Sequence, residues 1–232
     1  MEISVLTSQW DGHRLLDSGD GFKLEEIGGV RMIRSEPKAW WSKSLPQSEW
    51  QRAVAEHKEG GREGHWELRP HCPKEWETKL GKLRFQLRFM DNSKQFGVFA
   101  EQSPHWEWLA KQPTHSDPKP RLLNLFGYTG AASLVAAQAG WHVTHVDASK
   151  PAVAWGRRNQ ELSGLATAPI RWIIEDAMTF VKREVKRGNH YEAILLDPPA
   201  FGRGPSGEFW KVERDLAPLL RACRELLSPQ AR

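Results

Sequence analysis

From Arg121 onward the chain alternates short apolar runs with helix-forming stretches, and this alternation restricts the fold more than any other feature. LLNLF (122–126), HVTHVD (142–147), IRWIIED (170–176) and YEAILLD (191–197) have the length and apolar content of buried strands. Between them lie three helical stretches. AASLVAAQA (131–139) stops at Gly140, where a glycine closes a helix. Ser149 and Pro151 open a second helix that runs to about Leu162, as an N-cap and a first-turn proline. AMTFVKREVKR (177–187) is closed by Gly188, and a last helix is expected over about 209–227. Strand–helix alternation with short links predicts an α/β fold, a Rossmann-like parallel sheet with flanking helices.

Upstream, the texture differs. Residues 1–118 are Trp-rich, charged and broken by Gly and Pro, and they predict a small β-rich N-terminal region before a domain at 119–232. KLRFQLRF (82–89) puts Leu83, Phe85, Leu87 and Phe89 on one face of a strand. DSGDGFKLEEIGG (17–29) reads as a strand pair around a Gly-rich turn, 36–50 as irregular, 56–66 as a polar exposed loop, 103–112 as a short helix and 113–120 as a linker. Twelve tryptophans and a formal charge of +4 leave two readings of KAWWSK (38–43) and of 82–89: an RNA-facing surface, or a packed β subdomain, which is favoured. No apolar run approaches the roughly 20 residues of a membrane span. The N-terminus lacks the pattern of a secretory signal. Cys72 and Cys223 form neither a disulfide framework nor a metal-ligand cluster, so a reducing cytoplasm is the expected compartment.

Parallel sheets bind ligands at the carboxyl ends of their strands, so the residues standing there carry the chemistry. The first strand leads into Asn124, Leu125, Phe126, Gly127, Tyr128, Thr129 and Gly130, whose glycines either make an ordinary tight turn or bring backbone amides up to a ligand. The second ends at Asp147, followed by Ala148 and Ser149; a carboxylate there accepts both hydroxyls of a ribose, or helps to cap the next helix. After the third stand Asp176, Ala177 and Met178. They fit an adenine amino group and ring face equally as well as a helix cap and a core methionine. The fourth runs into Asp197, Pro198, Pro199, Ala200 and Phe201. Two prolines stiffen the backbone and aim its carbonyls, Asp197 is an acceptor for an amino-bearing planar group, and Phe201 is a stacking face.

The ordered set LNLFGYTG, HVDAS, EDAMTFV and LLDPPAFGRG resembles the class I S-adenosylmethionine-dependent methyltransferases, and within them the ribosomal-RNA large-subunit methyltransferases that make 5-methylcytosine or 7-methylguanine. DSGDGFKLEEIGG and GVFAEQ resemble that group's upstream extension. The resemblance implies S-adenosyl-L-methionine as cofactor and a base in RNA as substrate. It places Phe126, Gly127, Tyr128 and Gly130 at the methionine part, Asp147 at the ribose, and Asp176, Ala177 and Met178 at the adenine. Gln102 would reach the cofactor from the upstream segment, and Asp197, Pro198, Pro199 and Phe201 would line the pocket for the target base. Ser103 stands where related enzymes often carry Arg. The family's sheet has seven strands, and four are expected here before Arg232, so the expectation is an incomplete sheet.

Methyl transfer by direct displacement asks the protein to position the acceptor and exclude water. A cysteine nucleophile would be needed for 5-methylcytosine, and Cys223, in LLRACRELL, reads instead as a buried apolar residue. The alternatives are a catalytically inactive fragment or RNA-binding module, and an NAD-dependent oxidoreductase. Against the last, the turn lacks GxGxxG and nothing in hydride transfer needs DPPAF. Nothing in the sequence fixes the oligomeric state.

Overall fold

The structure is a computed structural model that describes residues 10–59, 64–91, 93–112, 118–229 and 231. The chain forms two compact units, Met1–Ser103 and Pro104–Arg232, a division that falls before the 118/119 boundary expected from the linker.

The first unit is built on a five-stranded sheet in the order β1-β2-β3-β4-β5, with a separate pair β6–β7. β1 (His13–Gly19), β2 (Phe22–Ile27) and β3 (Val30–Ser35) form an antiparallel meander. The stretch expected to be irregular ends in a one-turn helix, α1 (Gln47–Trp50). Asp17 is the reason that this connection holds one path. Its carboxylate accepts the Ser44 and Leu45 amides and the Trp50 indole N–H, the last two at 2.8 and 3.0 Å. Burial raises the Asp17 pKa, but the Leu45, Trp50, Ser44 and Ser18 hydrogen bonds outweigh it and hold the group below its ordinary value.

The expected polar loop at 56–66 is a correction. β4 (Ala55–Lys58) and β5 (His65–Leu68) are strands, paired antiparallel; 60–63 lie outside the described residues. The inward-facing residues of β4 are Ala55 and His57, and the histidine, which packs edge-on against Trp66 at 5.3 Å, makes the buried face within 56–66 read as polar in the sequence. β6 (Glu75–Leu80) pairs with β7 (Leu83–Arg88), whose Leu83, Phe85 and Leu87 are buried as the alternation predicts. The basic-aromatic stretch at 82–89 is therefore packing, whereas Trp40 stands 84% exposed.

The second unit begins with α2, the helix Ser103–Lys111, which starts in the last residue of the first. Its sheet is parallel. β8 (Arg121–Leu125), β9 (His142–Asp147), β10 (Ile170–Ile174) and β11 (Ala193–Leu196) lie in the order β10-β9-β8-β11. Four strands are described, as counted from the sequence. α3 (Ala131–Gln138), α4 (Lys150–Leu162) and α5 (Ala177–Lys186) connect them. Ser149 caps α4 by accepting the Ala152 amide, and Gly188 closes α5 at φ +66°. β8 is almost wholly buried and α3 is buried on all sides, which is why both read as unbroken apolar runs.

The end of the chain needs two corrections. Tyr191 lies outside β11 and makes a single parallel bridge to Leu227, through Tyr191 N–H to Leu226 C=O at 2.8 Å and Ser228 N–H to Tyr191 C=O at 3.0 Å. Residues 209–211 are not helical: β12 (Phe201–Arg203) pairs antiparallel with β13 (Phe209–Lys211), and only then does α6 (Val212–Glu225) begin. Gly204 N–H bonds Glu208 C=O at 2.8 Å across a turn that needs Gly207 at φ +93°. Cys223 is buried in the core with Phe180, Val181 and Leu219, and burial pushes its thiol up to about 11.

Candidate active site

In a sheet of order β10-β9-β8-β11 the chain steps outward from β8 through β9 to β10, then crosses back to β11 on the other side of β8. The carboxyl ends of β8 and β11 therefore flank the switch point, where a crevice opens. Four of the five expected groups meet along this edge: 126–130 after β8, 147–149 after β9, 176–178 after β10 and 197–201 after β11. Gln102 belongs to the first unit, in the single 3-10 turn Ala100–Gln102, where its amide bonds Phe99 C=O.

The turn after β8 is strained and held from several sides. Phe126 and Tyr128 have φ +56° and +52°, a left-handed backbone that costs about 1–3 kcal/mol at a non-glycine residue. Gly127 N–H bonds Val146 C=O at 3.1 Å, and Tyr128 N–H bonds Asp147 Oδ2 at 2.8 Å. A Cβ on Gly127 would stand 2.4 Å from His145 Cε1, and one on Gly130 would stand 2.6 Å from the Trp172 ring. These glycines are thus required by close approach and, at Gly130 with φ +83°, by conformation.

Asp147 organises the turn. Its Oδ1 accepts Ser149 N–H and its Oδ2 accepts Tyr128 N–H, both at 2.8 Å. Burial raises its pKa; the Ser149 and Tyr128 amides offset part of that rise. A carboxylate offers about four lone-pair sites, so with one amide on each oxygen both retain acceptor capacity. Asp176 accepts Thr179 N–H on Oδ1 as the cap of α5, and its other oxygen makes no hydrogen bond to a described residue. Met178 packs against the core.

Asn124 and Thr129 are buried. Asn124 donates to Ser133 Oγ at 2.9 Å, and Ser133 in turn meets His145 Nδ1 at 3.0 Å. His145 is fully buried, and burial pushes its pKa down to about 3 against a Tyr128 backbone hydrogen bond that favours the cation. This polar chain under the turn was not foreseen. HVTHVD signals a strand, but nothing in it says which histidine faces inward. Trp210 was missed as well. It packs on Phe126 at 4.9 Å and donates Nε1–H to Pro199 C=O at 2.8 Å, tying the turn after β8 to the two prolines. Asp197 and Phe201 are exposed, Phe201 by 73%.

This constellation defines a class. An acceptor carboxylate ends the second strand, a glycine turn opens a helix after the first, and an acidic-aromatic loop with two prolines follows the fourth, beside the switch point. Residues 47–232 match the S-adenosylmethionine-dependent methyltransferase family, and the chain belongs to it. The crystal structure of the SAM-dependent methyltransferase from Agrobacterium tumefaciens is 47% identical with a TM-score of 0.92, covering 97% of this chain and 72% of that one. The ribosomal RNA large subunit methyltransferase K/L of Hahella chejuensis is 38% identical over 135 residues, 57% of this chain but 18% of that protein, so the chain spans less than a fifth of that relative. The fold also matches SMU.776, solved in complex with SAH, at 20% identity and a TM-score of 0.73.

S-adenosylmethionine is the family's cofactor, and the donor set fits it. The open acceptor capacity of Asp147 suits a ribose diol, the open oxygen of Asp176 suits an amino group, and the turn at 126–130 brings backbone to the edge of α3. Among the described residues no helix is long and apolar enough to cross a membrane.

Proposed function

We propose that this chain binds S-adenosylmethionine along the carboxyl ends of β8, β9 and β10 and presents to it a base of RNA, with ribosomal RNA as the substrate. The observation that carries the reading is the adjacency at the switch point. A strained, half-buried turn and an exposed Asp-Pro-Pro-Ala-Phe loop flank it, joined by Trp210. The ribosomal RNA activity named for the relatives supports the substrate class, as does the sequence pI near 9.1.

The bound cofactor supplies an electrophilic methyl group on a sulfonium. The protein's part is positional. Asp147 holds the ribose hydroxyls, Asp176 the adenine amino group, and the turn Phe126–Gly130 the methionine part. Asp197 accepts a hydrogen bond from the target base, Pro198 and Pro199 fix its direction, and Phe201 stacks on a base that has left its helix. Free Cys72 and Cys223 suit a reducing cytoplasm.

Two measurements test this on the full chain. Calorimetry with S-adenosylmethionine is expected to show binding by the wild type and its weakening in Asp147→Ala. Incubation with tritiated S-adenosylmethionine and an unmodified ribosomal RNA transcript is expected to label the RNA, and Asp197→Ala to abolish labelling while still binding cofactor. Absence of cofactor binding would sink the cofactor assignment; binding without RNA labelling would sink the substrate assignment.

A further inference from the structure

The hairpin that follows the Asp-Pro-Pro-Ala-Phe loop has two unlike faces. Strand alternation turns Gly202 and Trp210 inward, and Trp210 is 6% exposed. The other face carries Phe201, Arg203, Phe209 and Lys211, all exposed, with Phe201 at 73% and Phe209 at 54%. The register pairs Phe201 with Lys211 and Arg203 with Phe209. Two aromatic rings and two cations thus form a checkerboard, each ring opposite a cation. Neither the Arg203 guanidinium nor the Lys211 ammonium makes an ion pair with a described residue. Elsewhere in the chain, by contrast, Arg34, Arg52, Arg84 and Arg183 are paired with carboxylates.

The Arg214 guanidinium lies 5.9 Å from the Phe209 ring centroid yet leaves that residue 54% exposed, and two exposed rings side by side on one face form a patch of the kind that marks an interaction surface. The hairpin is held rigid beneath them by the Trp210 indole on Pro199 C=O and by the Val212 amide on Ala200 C=O at 2.9 Å. The two rings are diagonal neighbours, about 7–8 Å apart by the usual spacing of such pairs. That separation suits bases that have splayed apart rather than bases stacked on each other. Cations between the rings suit a backbone that carries a phosphate between each pair of bases.

We infer that the exposed face of β12–β13 is a binding platform for the unpaired RNA strand flanking the target base. Phe209 stacks on a neighbouring nucleotide while Arg203 and Lys211 hold the intervening phosphates. The inference rests on the RNA reading above and deepens it: the substrate is a single-stranded segment of RNA, recognised by stacking and charge at the hairpin.

The test uses fluorescence anisotropy with the full chain and a labelled ten-nucleotide single-stranded RNA of mixed sequence, across a salt series, beside a duplex RNA of equal length. The wild type is expected to prefer the single strand. Phe209→Ala is expected to weaken it roughly tenfold at every salt concentration, with recovery in Phe209→Tyr. The double variant Arg203→Ala/Lys211→Ala is expected to lower the slope of log affinity against log salt by about 1.4, about 0.7 for each phosphate contact. S-adenosylmethionine binding, measured by calorimetry, stays unchanged in all variants, which separates the platform's loss from misfolding. Wild-type binding of single-stranded RNA with all variants equal to it overturns the platform and leaves the RNA reading standing. Failure of the wild type to bind either RNA overturns both. A wild-type dimer in sedimentation that Phe209→Ala dissociates would assign the face to a second copy of the chain instead.

Discussion

The two sides of the switch point are built in opposite ways. On the proposed cofactor side, the turn at 126–130 carries two left-handed non-glycine residues and two glycines pressed against rings, beside the Asp147 carboxylate, which accepts two backbone amides. On the proposed acceptor side, Asp197, Phe201 and Phe209 stand in solvent on a loop and hairpin anchored by Trp210. A small ligand of fixed shape is met by a site whose geometry is set before it arrives. A large, flexible polymer, the proposed RNA, would be met by exposed rings and charges on a rigid support. The comparison predicts that substitutions on the first side act through stability and cofactor affinity, and those on the second through the acceptor alone.

The sharpest break is Gly127→Ala. A Cβ 2.4 Å from His145 Cε1 must displace a fully buried ring, so the second unit should lose about 3 kcal/mol, read as lost hydrogen-exchange protection of β8 and β9 amides. The acid response comes next. His145 has a folded pKa of about 3 against an ordinary 6.5, so as pH falls through 6.5 the unfolded chain takes up a proton that the folded chain refuses. Stability present above pH 6.5 is then lost progressively toward pH 3, with a slope of up to about 1.4 kcal/mol per pH unit. His145→Gln should flatten that slope in denaturant titrations at several pH values; an unchanged slope would place the acid sensitivity elsewhere.

Asp147→Ala should weaken S-adenosylmethionine by about 2 kcal/mol, roughly 30-fold, since a charged acceptor is lost along with the anchor of the Tyr128 amide. Because burial raises its pKa, wild-type cofactor affinity should also fall on acidification earlier than an ordinary carboxylate would allow, as the proposed ribose contact uses the ionised form. The smallest effect on fold and cofactor is expected for Phe201→Ala. An exposed side chain should leave stability within about 0.5 kcal/mol and cofactor affinity unchanged, while methyl transfer to RNA drops. A cofactor-binding loss comparable to that of Asp147→Ala would erase the distinction between the two sides.

The sequence alone determined the parallel sheet, its connecting helices and their caps. Those depend on short-range periodicity and on Ser149, Gly140 and Gly188, whose roles are local; Asp176 fits a cap and a ligand acceptor equally in the sequence, and the structure shows it accepting the Thr179 amide. It also located the strand ends where the candidate site lies, since order along the chain becomes order along one edge once the sheet is parallel. Tertiary structure decided what periodicity cannot carry. β4 and β5 were hidden because a buried histidine occupies a core position and only Trp66, across the strand pair, makes it a packing residue. β13 lies within the stretch expected as helix, because the β12–β13 pairing needs a turn and an anchor, Trp210 on Pro199, contributed by residues eleven apart. The strain at Phe126 and Tyr128 and the buried Asn124–Ser133–His145 chain likewise arise only when β8, β9 and α3 close together, for they are properties of contacts and not of any one segment.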